Sequence, residues 1–290
     1  MGRWLPLVLV AMLAGCTAPM PPVEFTHVHD AVFVPSEGAL FLGTHYGVVV
    51  GTEARGQWTW TYAGDERYDY MGLTQDGVRD NVFYASGHPN DPRAYGGVHL
   101  GLRRSLDGAE TWEQRSLKAE VDFHALTGFP GRADVVAGAW QGIIKHSIDG
   151  GATWRDIEGP APVITLAAAK ETLFAATTAG LFATADLTNL TRWQSVFDDD
   201  GAPFSSLAAS PDGLVLFAST GDHRAGDARH STDGGATWAP INEPVLASAK
   251  SPVAFAFDPS DARHVFASTS GGRVFESQDG GLAWTAIRIP

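Results

Sequence analysis

An octet recurs along this chain, and its spacing constrains the fold more than any other feature. Ser105–Trp112 (SLDGAETW), Ser147–Trp154 (SIDGGATW), Ser231–Trp238 (STDGGATW) and Ser277–Trp284 (SQDGGLAW) share one pattern, with starts 42, 84 and 46 residues apart. The middle interval is twice the first, which predicts one more copy between. Thr184-Ala185-Asp186 followed by Trp193 lies there with a longer turn, and upstream Gly51–Trp58 keeps the octet length and its Trp but not the Ser and Asp. Six units result. A repeat of this length belongs to arrays whose units bury one another's faces.

Each unit reads strand, turn, strand, turn, strand, octet, strand. Val215–Thr220 (VLFAST) and His264–Thr269 (HVFAST) are typical of the strands. Four strands per unit make a propeller blade. The predicted fold is therefore all-β, a six-bladed β-propeller of four-stranded blades. The blades are expected at Glu24–Tyr62, Arg67–Leu117, Val121–Ile157, Val163–Val196, Pro203–Ile241 and Ser251–Ile287. The 33 Gly and 17 Pro, without a long amphipathic helical stretch, agree with short strands and many turns. A less regular array of β-sandwiches is the competing architecture.

The octets resemble the Asp-box, or BNR, repeat of sialidases and many other propellers. Its chemistry is local: the Asp accepts hydrogen bonds from the turn's own amides, glycines permit positive φ, and the Trp packs between sheets. Asp107, Asp149, Asp233 and Asp279 are expected as turn staples, not as catalytic acids.

The first sixteen residues read as an address. Arg3 precedes the ten-residue apolar run Leu5–Ala14, too short to span a bilayer comfortably and typical of a secretory signal. Leu13-Ala14-Gly15-Cys16 resembles the lipobox of bacterial lipoproteins. That resemblance implies a signal peptide over residues 1–16, cleavage before Cys16 and lipid on that cysteine. It also implies a lipid-anchored place in the bacterial cell envelope, outside the cytoplasm, while residues 17–23 read as a short tether and the repeats put the propeller over 24–290. Cys16 is the only cysteine, so neither an intramolecular disulfide nor a cysteine-based metal site is expected. Net charge is −13 and no Lys/Arg-rich run occurs, which argues against nucleic acid as a partner.

Aligned blades isolate what is not architecture. The first strand of a blade lines the channel. Blade one carries His27 and His29 there, blade two Asp69 and Met71, and blade three Asp122 and His124. Blades four to six are expected to place Thr165, Ser206 and Ala254 at the second of these positions. The loop after the second strand holds His45 in blade one and His88 in blade two. All six tyrosines fall in the first two blades, and the insertion 90–102 lengthens blade two. Titratable groups thus gather at one mouth, on blades one to three. His99, His146 and His264 read as structural, and Asp198-Asp199-Asp200 as a solvated loop or a calcium site.

Three functions compete for this mouth. His27, His29, His45, Met71, His88 and His124 form a pool of metal ligands. Imidazole with thioether suits copper, and imidazole with carboxylate suits zinc or copper. Asp69 and Asp122 on adjacent blades would instead serve glycoside hydrolysis, which needs two carboxyls about 5–10 Å apart. Tyr70 or Tyr84 would imitate a tyrosine nucleophile, but the three-arginine signature of true sialidases has no match in blade one. The third reading is a propeller that binds a small ligand, a glycan or an extracytoplasmic protein without chemistry.

Residues 24–288 resemble bacterial lipoprotein propellers of the sialidase-like, glycosyl hydrolase group. Thr26-His27-Val28-His29, Thr44-His45, the run 84–89 (YASGHP) and the run 121–126 (VDFHAL) carry the likeness. It implies the fold and brings no mechanism with it. Asp30 departs from the pattern by replacing a glycine. Photosystem II assembly factors share the repeat but lean on a basic face, and the acidic balance here argues against that role.

Overall fold

The computed structural model describes residues 22–25, 27–197, 204–220, 228–241, 252–269 and 271–289. The signal segment with Cys16, most of the tether, Thr26 and the triplet Asp198–Asp200 lie outside the described residues. Six four-stranded antiparallel sheets form the blades. Blade one is β1 (Val28–Val34), β2 (Ala39–Thr44), β3 (Gly47–Ala54) and β4 (Gln57–Tyr62). Blade two is β5 (Asp69–Gln75), β6 (Phe83–His88), β7 (Leu102–Ser105) and β8 (Glu113–Ser116), with the one-turn helix α1 (Pro92–Tyr95) inserted after β6. Blade three is β9 (Ala125–Gly128), β10 (Val136–Trp140), β11 (Ile143–Ser147) and β12 (Arg155–Ile157). Blade four is β13 (Val163–Ala168), β14 (Leu173–Thr177), β15 (Gly180–Thr184) and β16 (Gln194–Phe197). Blade five is β17 (Phe204–Ala209), β18 (Leu216–Thr220), β19 (Ala228–Ser231) and β20 (Ala239–Pro240). Blade six is β21 (Pro252–Asp258), β22 (Asp261–Thr269), β23 (Val274–Ser277) and β24 (Thr285–Ile287).

Side chains alternate along each strand, so each blade offers one apolar set to either neighbour. In β2, Leu40 and Leu42 pack toward blade six while Phe41 packs toward blade two. The buried core divides accordingly into six clusters, one at each blade–blade seam. Trp112, Trp154, Trp193, Trp238 and Trp284, which end the octets, each sit in the seam with the preceding blade. Every blade is one contiguous stretch of chain, so the ring closes by packing alone. Phe25, Val28 and Leu42 meet Ala254, Phe266 and Val274 at that seam, and Trp60 Nε1 donates to Arg288 O at 3.2 Å.

The octet turns are stapled from within. Ser147 Oγ donates to Asp149 Oδ1 at 2.8 Å and accepts from Gly151 N at 2.8 Å. Asp149 accepts from Thr153 N at 2.9 Å and from Thr153 Oγ1 at 2.6 Å. Asp107 and Asp233 make the same bonds with Thr111 and Thr237, and Asp279 accepts from Ala283 N. Burial opposes the charge on Asp149, but the bonds from Thr153, Ser147 and Ala152 together outweigh it and hold the carboxyl at about 2.

The six first strands, β1, β5, β9, β13, β17 and β21, stand side by side in a ring around a channel of about 350 Å³. Five of them carry a bulge at one equivalent place, occupied by His29, Met71, Ile164, Ser205 and Val253. In blade three, pairing starts at Ala125, directly after His124. The register therefore matches His29 and His124 with Ile164, Ser205 and Val253, one residue before the Thr165, Ser206 and Ala254 expected from the sequence. A bulge adds a residue to one strand only, and this shifts the count.

Candidate metal centre

The site starts from a close approach of two backbones. Asp69, the first residue of β5, pairs across the sheet with His88, the last of β6. Residues directly opposite in an antiparallel pair hold their Cβ atoms about 5 Å apart. Gly87 makes this possible: its φ is +150°, and a Cβ there would stand 1.9 Å from Asp69 O. Any side chain at 87 would push Asp69 away from His88.

Blade one delivers the first ligand group. The bulge at His29 turns its ring across the seam, with Nε2 3.5 Å from Asp69 Oδ1. His45 lies in the β2–β3 turn, which Thr44 fixes by donating from Oγ1 to Gly47 O at 2.8 Å and accepting from Tyr46 N at 3.1 Å. His45 Nδ1 then stands 2.9 Å from Asp69 Oδ2. His27 precedes β1 with a left-handed backbone, φ 56°, and an exposed side chain. Its ring centroid is 4.5 Å from that of His45 and 6.3 Å from that of His29.

Blades two and three deliver the second group. Phe123 is buried in the seam and its N–H donates to Ser86 Oγ at 2.9 Å. Asp122 and His124 flank it and turn to the same side, as residues two apart do in extended chain. Asp122 is 3% exposed. Its Oδ2 lies 2.7 Å from His124 Nε2 and 3.0 Å from His88 Nε2. His88 Nδ1 stands 3.1 Å from Val98 O. A carbonyl accepts only, so Nδ1 carries a proton. Nε2 therefore meets a carboxylate oxygen with a lone pair unless a proton or a cation lies between them. His99 completes the cluster, its ring 6.1 Å from that of His88 and 5.1 Å from that of Trp140.

Two groups of ligand atoms emerge, His29–His45–Asp69 and His88–His99–Asp122, and within each group the atoms lie within 4.8 Å of one another. Six of the ten histidines, counting His27 and His124, gather at this mouth. Two imidazole nitrogens and one carboxylate oxygen with an open side form a donor set for zinc, copper or iron. Met71 occupies the bulge beside Asp69. Asp122 Oδ1 and His99 Nδ1 are buried and make no hydrogen bond among the described residues. Burial, with the Asp122 charge nearby, raises the Asp69 carboxyl above its usual range, while His45 and His88 pull it down. The bond to Asp122 raises the His124 imidazole, against the effect of burial.

Sequence reasoning placed His99 among the structural histidines. It lies in the insertion after β6, outside the repeat, and α1 brings it back to the mouth. Asp91 caps that helix, accepting from Arg93 N and Ala94 N at 3.0 Å. The insertion itself, the longest departure from the blade pattern at this mouth, was the available signal. Tyr70 and Tyr84 are fully buried, and burial raises both phenols, so neither serves as a nucleophile. Tyr70 donates to Glu66 Oε2 at 3.0 Å, and Tyr84 lies 3.4 Å from Asp134 Oδ1. His146 is buried against Phe129, and burial lowers it to about 4. His264 is held between Asp258 and Glu276, at 3.2 and 2.8 Å.

No family model and no curated protein matches the chain. Solved structures do. A GH74 xyloglucanase from Xanthomonas campestris aligns over 89% of this chain and 52% of its own, at 19% identity and a TM-score of 0.57. A GH74 enzyme from Niastella koreensis aligns over 90% and 45%, at 16% identity and 0.62. YCF48 bound to D1 peptide aligns over 92% and 83%, at 15% identity and 0.53. The chain spans about half the length of the two GH74 proteins. At such identities the likeness shows the propeller fold.

Proposed function

We propose that this chain is an extracytoplasmic metal-binding propeller, tethered to the cell envelope through lipidated Cys16. The metal sits at the mouth of blades one to three, where His29, His45 and Asp69 form one candidate ligand group and His88, His99 and Asp122 another. The observation that carries the reading is the second group. Asp122 Oδ1 and His99 Nδ1 are buried without hydrogen bonds. Each such atom costs about 1–3 kcal/mol, which a bound cation offsets. Val98 O fixes the His88 tautomer that leaves Nε2 facing the site, the outer-shell arrangement that supports a metal-bound imidazole. Zinc and copper suit this donor set.

The test is elemental analysis of protein purified without chelator, followed by titration with Zn(II) and Cu(II). Retained metal, or an affinity tighter than about micromolar, is expected. The Asp122→Asn and His29→Ala variants should each lose part of it. Protein that arrives empty and binds neither ion at that level overturns the reading.

A second reading is glycoside hydrolysis at the same mouth. The raised Asp69 carboxyl beside Asp122 supports it, as do the GH74 neighbours. Asp69 would be the acid and Asp122 the base or nucleophile. Release of reducing sugar from xyloglucan oligosaccharides that survives chelation but not Asp122→Asn would favour this reading over metal binding.

A further inference from the structure

We propose, resting on the metal-binding reading, that the two ligand groups form one dinuclear centre that holds two ions at once. The groups are not separate surface features. Asp69 of the first and His88 of the second are directly opposed across β5 and β6. Gly87 draws these two backbones to a separation that no Cβ tolerates. His88 Nε2 reaches Asp122 Oδ2 at 3.0 Å, so the chain Asp69–His88–Asp122 links the groups through one side chain.

The donors divide evenly. Each group brings two imidazoles and one carboxylate, with no residue shared between them. Each carboxylate is engaged through Oδ2 by a histidine of its own group or its neighbour, and each has an Oδ1 without a hydrogen bond. Two divalent ions on two carboxylates leave a net charge of about +2 on the pair. Three protein atoms per ion also leave open positions toward the mouth. Both features call for an exogenous anionic oxygen donor between the ions, a hydroxide or a small oxyanion. His27 and His124 are exposed, one beside His45 of the first group and the other on Asp122 of the second.

The experiment is a Cu(II) titration of the full chain followed by electron paramagnetic resonance. Two ions per chain are expected. The first equivalent should give an isolated axial spectrum, and the second a spin-coupled pair, read as a half-field transition or as loss of the axial signal with two coppers still bound. Asp69→Asn should retain one uncoupled ion on the His88 group, and Asp122→Asn one uncoupled ion on the His29 group. A wild-type stoichiometry of one overturns the proposal, as do two ions whose spectra add without coupling. Both results leave the single-ion reading standing, whereas no binding at all removes that reading too.

Discussion

Two sets of aspartates hold this propeller's polar chemistry, and they differ in what satisfies them. At the octet turns, Asp149 takes its hydrogen bonds from Thr153 and Ser147, all within four residues, and stays ionised down to about pH 2. At the mouth, Asp69 and Asp122 face His45 and His88 from other strands, Asp122 meets its neighbour His124 as well, and each carboxylate keeps an oxygen without a hydrogen bond among the described residues. Burial raises Asp69 where the turn bonds lower Asp149. A carboxylate saturated by its own turn is architecture. One that other blades surround with further donors is poised for a ligand.

The comparison is broken first by exchanging one carboxylate of each kind for its amide. Asp122→Asn should weaken metal binding about 100-fold, near 2.7 kcal/mol, because it removes a charged ligand. The metal-free fold should persist, with a circular dichroism spectrum like the wild type. Asp149→Asn should do the reverse. It loses an acceptor for Thr153, lowering stability by about 1 kcal/mol in urea unfolding, with metal affinity unchanged. If Asp149→Asn also weakened the metal, or Asp122→Asn left it untouched, the division between staple and ligand would fail.

The same division explains what was legible in the sequence. The staples were readable because Ser147, Asp149, Gly151 and Trp154 do their work within eight residues, and repetition counted the blades. The mouth was readable in part. His27, His29, Asp69, His88, Asp122 and His124 stand out as titratable residues at or close to the strand ends at this mouth in blades one to three. Their pairing was not, since His45 meets Asp69 across a seam and nothing local records it. His99 was hidden because it belongs to an insertion that returns to the mouth through α1. The one-residue error at Thr165, Ser206 and Ala254 came from the bulge, which the chain marks with no Gly or Pro in blades one, four and five.

The smallest effect sharpens the comparison by its sign. Asp30 lines the channel beside the mouth, accepting from Leu73 N at 3.0 Å and Ala31 N at 2.9 Å. Burial outweighs these bonds and pushes its carboxyl from 3.8 up to about 7. A raised folded value means that the folded state holds the proton more tightly. Its stabilising contribution is complete below about 3.8 and is lost as pH rises through about 7. Asp149, lowered to about 2, contributes above about 3.8 and loses that contribution as pH falls toward 2. His124 and His264 are also raised and change little below about 6.5, but Asp69 is raised too and His146, lowered to about 4, acts in the opposite direction, so Asp30 is isolated by the difference between the wild type and Asp30→Asn. In metal-free protein, the stability of the wild type relative to Asp30→Asn should fall as pH rises from 4 to 6, with a slope no steeper than about 1.4 kcal/mol per pH unit. Asp30→Asn removes this one contribution, whereas Asp149→Asn should change only the limb below pH 4. Urea midpoints for the three proteins across pH 2 to 8 decide the matter. An Asp30→Asn profile parallel to the wild type would show that its carboxyl is solvated and ionised like an ordinary surface aspartate.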